Sequence, residues 1–160
     1  MDRTGAIGAL LDIYETAIAD LKNVIKDISN EDLTVITDAE TLDDNCRSLQ
    51  DMLTHVVYAG FGYATLIKNV KGDNLIRPTK VYHTAVSNYM EDIVNVFVCT
   101  ENVLGHFTDK DIEEHDNALK IKSGWGQSYD VEQMMEHAIV HIFRHKRQIE
   151  NIRRNQLIKA

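Results

Sequence analysis

Apolar residues recur at steps of three and four through four long stretches of this chain, and no stretch offers a convincing strand. The first stripe is Ile7, Leu10, Leu11, Tyr14, Ala17, Ile18, Leu21, Val24, Ile25 and Ile28. The second runs Leu49, Met52, Val56, Ala59, Gly60, Tyr63 and Ile67, and the third Val86, Met90, Ile93, Phe97, Thr100, Leu104 and Phe107. The last carries Val131, Met135, Ala138, Ile142, His145, Ile149 and Ile152. A helix with one apolar face must bury it against another, so four such stripes predict an all-α fold, an antiparallel four-helix bundle. At 160 residues the chain is long enough for one such domain, spanning 1–160, and short for two.

The breaks between stripes agree. Ser48 followed by Asp51, and Asp130 followed by Gln133, read as capping boxes at the starts of the second and fourth helices. Residues 71–81 hold Gly72-Asp73-Asn74 and the only proline, Pro78, and so form a connection. A long connection separates the third and fourth helices and contains Ser123-Gly124-Trp125-Gly126; its tryptophan either covers a pocket or plugs the bundle's end. The run Thr34-Val35-Ile36-Thr37 is too short to compete as a strand.

A formal charge of −8, from 25 acidic and 17 basic residues, argues against nucleic acid or an anionic membrane as partner. The basic cluster Arg144, Lys146, Arg147, Arg153 and Arg154 reads as a solvated outer face near a helix C-terminus. No apolar run reaches the roughly 20 residues of a membrane span, and the first residues lack the order of a signal peptide, so a cytoplasmic protein is expected. Cys46 and Cys99 are isolated, which fits buried or indifferent thiols better than a disulfide framework or a nucleophile.

The chemistry concentrates in His137-Ala-Ile-Val-His141-Ile-Phe-Arg-His145. Residues four apart lie about 40° apart on a helix wheel and about 6 Å along its axis, so adjacent pairs can reach one metal ion. Relative to the apolar centre of the last helix, His145 lies within about 25°, His141 at about 65° and His137 at about 105°, which ranks their depth. His55, at the edge of the second stripe, can close the site from across a groove. A buried imidazole must satisfy both ring nitrogens, and failure costs roughly 1–3 kcal/mol per group. Metal ligation meets that demand; a core histidine hydrogen-bonded to Tyr63 or Thr100 is the alternative. Three imidazoles leave positions open for water or substrate, as in catalytic sites, and suit zinc or nickel. His137 points outward and reads as solvated or supporting; His83, His106 and His115 fall at helix ends or in loops and carry no site role.

Leu53-Thr54-His55-Val56-Val57 in the second helix, with His141-Ile-Phe-Arg-His145-Lys146-Arg147-Gln148-Ile149 in the last, resembles the DinB-like (YfiT-like) superfamily of metal-dependent four-helix-bundle proteins. The family motif is H-x-x-x-H-[RK]-x-Q-[IL], with a glycine usual where this chain has Arg147. The resemblance covers almost the whole chain and implies that His55, His141 and His145 are the metal ligands. It also implies a homodimer. Relatives use the metal to activate a low-molecular-weight thiol for transfer to small electrophiles, or are described as hydrolases. A metal-stapled stress-response or interaction module without catalysis is the competing reading. Tyr58, Arg144 and Gln148 stand near the ligands in sequence and are weaker candidates for a role in the reaction.

Overall fold

The computed structural model describes residues 3–159. Four helices dominate it: α1 (Gly5–Ile25), α2 (Leu49–Asn69), α3 (Val86–Leu104) and α4 (Val131–Lys159). Single 3-10 turns at Glu31–Thr34 and Asp44–Cys46 interrupt the α1–α2 connection. The stripes read from the sequence become the core, with Leu11, Leu21, Leu49, Ile67, Ile93 and Ile149 almost wholly buried. Ile28 is buried too, beyond the end of α1, where the chain folds back under the bundle.

Each of α1 and α2 packs against both α3 and α4. The contacts also fix direction. Arg3 pairs with Glu101 at 2.8 Å while Tyr14 meets Phe97 at 6.1 Å, so α1 and α3 run in opposite senses. His55 faces His145 while Tyr63 faces His137, which makes α2 and α4 opposed as well. By contrast Thr54 bonds Tyr89 at 2.6 Å and Gly60 abuts Val96, so α2 and α3 point the same way. Asp20 to Lys146 and Val24 to Arg153 show the same for α1 and α4.

Two of the four neighbouring pairs are therefore parallel, where the sequence reading had a simple antiparallel bundle. The reason lies in residues 70–85. A 21-residue helix is about 32 Å long, and sixteen extended residues reach about 50 Å, so this connection returns along the bundle before α3 begins. It runs as a strap beside α2: Leu75 bonds Asn69, Arg77 lies against Gly62, and His83 is held by Gln50. At Gly62 a Cβ would stand 2.7 Å from the Arg77 guanidinium, so the absent side chain leaves room for the Arg77 side chain to lie against α2.

The long connection before α4, where no strand was expected, contains a two-stranded antiparallel hairpin, β1 (Ile121–Lys122) with β2 (Ser128–Tyr129). Its turn holds Gly126 at φ +86°, a conformation open to glycine, and this local geometry overrides the missing alternation. The capping box of α4 closes in both directions: Gln133 N–H donates to Asp130 Oδ1 at 2.8 Å, and Asp130 N–H to Gln133 Oε1 at 3.1 Å. Ser48 Oγ accepts from Asp51 N–H at 3.0 Å and starts α2. Among the described residues no helix is long and apolar enough to cross a membrane.

Candidate metal centre

The cap at Ser48 sets the phase of α2, which turns His55 toward α4, where His141 and His145 lie one turn apart. The three imidazoles converge through their Nε2 atoms: His55 to His141 is 2.9 Å, and His145 to His141 is 3.2 Å. One ligand atom from each lies within 4.8 Å of the others. Hydrogen bonding alone satisfies this poorly, because an imidazole nitrogen offers either one proton or one in-plane lone pair, and His141 Nε2 has two such neighbours. A tetrahedral ion with metal–nitrogen bonds of about 2.0–2.1 Å holds its ligand nitrogens about 3.3 Å apart. The donor set and its spacing thus fit a divalent transition metal.

Electrostatics point the same way. Burial, then the neighbouring imidazoles, push His141 down to about 2, and burial with His55 and Arg144 takes His145 to about 4. His55 is lowered, chiefly by burial. All three are therefore neutral at pH 7, the state a metal ligand needs. His145 is 3 % exposed, and its Nδ1 is one of two buried side-chain atoms among the described residues without a hydrogen-bond partner. The other is Gln148 Oε1, three residues on and on the same side of α4. A small rotation on metal binding would pair them; Nδ1–H would then donate to the amide and leave the Nε2 lone pair free. Gln148 is itself anchored, since its Nε2 reaches Cys46 Sγ at 3.9 Å.

His137 stands apart from this cluster. Its ring stacks on Trp125 with centroids 5.1 Å apart at 21°, and its Nδ1 is 3.4 Å from the Tyr129 hydroxyl. Tyr63 meets His141 edge-on at 5.7 Å and Trp125 at 6.2 Å, so an aromatic wall rises beside the triad. Trp125 is 48 % exposed and flanks a cleft of about 470 Å³ that opens onto the histidines. It therefore covers a pocket and does not plug the bundle's end.

The remaining histidines are elsewhere. His83 bonds Asp92 at 2.7 Å and packs on Tyr89, His106 lies at the end of α3, and His115 is exposed. Cys46 is buried, and burial together with the Asp43 carboxylate pushes its thiol up to about 11, so it is a poor nucleophile.

Sequence reasoning missed Arg77, Lys80, Asp43 and Asn45, all of which line the cleft. They come from the strap and from the Asp44–Cys46 turn with its cap, segments without periodicity, where only the fold reveals proximity. The pair of cations around Pro78 was the one available signal. Arg144, read both as part of a solvated basic face and as a weaker candidate beside the histidines, borders the cleft, as does Tyr58.

The sequence profile of the DinB family matches residues 4–155, nearly the whole chain. The chain belongs to the DinB family. No curated protein and no solved structure matches it significantly. In this DinB protein the family resemblance rested on fewer than ten residues of sequence; the histidines among them meet at one point in the fold.

Proposed function

We propose that His55, His141 and His145 hold one divalent ion, zinc or nickel, and that the protein is a metal-dependent enzyme transferring a small thiol to an electrophile. The observation that carries this reading is the convergence of three neutral imidazoles at the floor of an open cleft. A closed structural site would have a fourth protein ligand and no cleft. Such an ion, when bound, lowers the pKa of a thiol or water beside it and offers the anion as a nucleophile.

The chain's own residues do the rest. The histidines orient the reacting group, and Tyr63 with Trp125 keeps water from one side of the cleft. Burial raises the Tyr63 hydroxyl well above the usual phenol range, so it stays protonated and is able to donate a hydrogen bond. In the transfer, the thiol proton passes to solvent, the new carbon–sulfur bond forms, and the leaving group departs with its electron pair. Hydrolysis of an activated ester, with water as the nucleophile, is the second chemistry the same opening supports. A metal-stapled module without catalysis is the alternative, and a homodimer working in the cytoplasm completes the reading.

The test is elemental analysis of the purified protein and its His145→Ala variant. It is followed by a screen with 1-chloro-2,4-dinitrobenzene and several thiols, and with p-nitrophenyl acetate for hydrolysis. Near-stoichiometric metal lost in the variant, with metal-dependent thiol conjugation, supports the enzyme. Tight metal without turnover supports the staple, and no metal in either sample after incubation with both ions refutes both. Light scattering after size exclusion reports the oligomeric state.

A further inference from the structure

Three cations border the histidine cleft of a chain whose net charge is −8: Arg77 and Lys80 from the strap, and Arg144 from α4. Among the described residues none of the three has a carboxylate within ion-pair distance. Arg77 and Lys80 share one ring. The Arg77 guanidinium stands 3.5 Å from the Tyr58 centroid and donates to its hydroxyl, while the Lys80 ammonium lies 5.4 Å from the same centroid. Tyr58 follows His55 by three residues on α2, so the two charges gather over the ligand's own helix face. Lys80 is further fixed by Asn45, whose Oδ1 accepts from its ammonium at 2.8 Å.

The one acid lining the cleft among the described residues, Asp43, is already engaged. Its carboxylate accepts from the Asn45 backbone at 3.0 Å, the Asn45 amide at 2.9 Å and the Cys46 thiol at 3.5 Å. Burial alone would raise Asp43, but these bonds outweigh it and hold the group below the usual carboxylate range. Asp43 therefore braces Asn45 and the wall, and the cations above keep donors to spare. Like charges held together repel unless an anion joins them. Two guanidiniums and an ammonium suit a head group with several oxygens, because a guanidinium offers paired donors and the charge-assisted bonds are about twice as strong as neutral ones.

We infer that the cleft recognises a small organic oxyanion, a carboxylate or a phosphate ester, with its head among Arg77, Lys80 and Arg144 and its apolar body along Trp125. This names the substrate class of the site in the proposed function and rests on that reading for its catalytic meaning. The binding itself is separable from the metal.

Trp125 is the only tryptophan and borders the cleft, so its fluorescence reports occupancy directly. The probes are benzoate, phenyl phosphate and neutral benzyl alcohol, titrated into the full chain with and without zinc at fixed ionic strength. At least one anion should bind ten times or more tighter than benzyl alcohol, and the better one identifies the head group. In the R77Q/K80Q/R144Q variant that advantage should fall to near unity while benzyl alcohol is unaffected. The three side chains are on the surface, so the variant should melt within a few degrees of the parent. Equal affinity for alcohol and anions in the parent overturns the inference, as does an advantage that survives the triple variant. An anion lost only on metal removal is bound by the ion, which overturns the cationic rim and leaves the metal centre standing. Failure of the chain to take up zinc sinks the metal reading alone, because the metal-free titrations still decide the rim.

Discussion

Replacing His145 with alanine separates the proposed metal centre from the fold. In the metal-free protein the substitution deletes a side chain that is 3 % exposed, which costs about 2–4 kcal/mol of packing. It also removes a buried nitrogen without a partner, which returns about 1–3 kcal/mol. The net loss of about 1 kcal/mol leaves a folded protein. Metal changes the comparison. At a hundred times its Kd, an ion stabilises the native state by about 2.7 kcal/mol, and at about 2–4 °C per kcal/mol for this size the Tm should rise about 5–10 °C. Four-ligand zinc sites bind with about 10–16 kcal/mol, roughly 3 per ligand, so losing one imidazole weakens binding by about two decades. At the same metal concentration the variant then gains only about 0.4 kcal/mol, a shift of about 1–2 °C. His137→Ala, which disturbs the Trp125 stack, should keep most of the parent's shift. Thermal melts by circular dichroism, with and without zinc and nickel, read all of these. A full shift in His145→Ala, or one as small in His137→Ala, refutes the assignment of depth and ligation.

Acid should destabilise the metal-free protein. The folded pKa of His145 is about 4 against an ordinary 6.5, so below pH 6.5 the unfolded chain binds a proton the native state refuses. Its stability contribution is intact above 6.5 and is lost down to about 4; at pH 5.5 the loss from His145 is on the order of 1 kcal/mol, visible in urea midpoints, and a flat profile contradicts it. Gln148→Leu should weaken metal binding about 10- to 100-fold in a chelator competition while leaving the urea midpoint nearly unchanged; unaltered affinity would show that Gln148 does not orient His145. Gly60→Ala should destabilise by about 1–3 kcal/mol, since its Cβ would press on Val96 across the α2–α3 contact and outweigh a helix-propensity gain of about 1. A neutral or stabilising result would mean that the two helices separate easily there.

The histidine pair of α4 was legible because both residues sit on one helix, where spacing along the chain is geometry. His55 was harder: its place at the edge of a stripe allowed a reach across the groove, and the family motif supplied the rest. Parallel packing of α2 with α3 was not legible, since the periodicity of a helix says which face is buried and nothing of the direction its neighbour runs. The hairpin around Gly126 escaped for a related reason: two strands of two residues each are too short to show alternation. Arg77 and Lys80 carried no pattern, and only the return of the strap along α2 brings them over that helix.

The sequence by itself determined four amphipathic helices, the caps of α2 and α4, and the depth order of the histidines on α4, because each of these is a local consequence of residue spacing and short-range hydrogen bonding. Tertiary structure alone decided that His55 comes within hydrogen-bonding distance of His141 and beside His145, that the cleft has one aromatic and one cationic wall, and that the imidazoles are held neutral. Those properties depend on contacts between residues far apart in the chain and on the water that packing excludes, neither of which is written into any single segment.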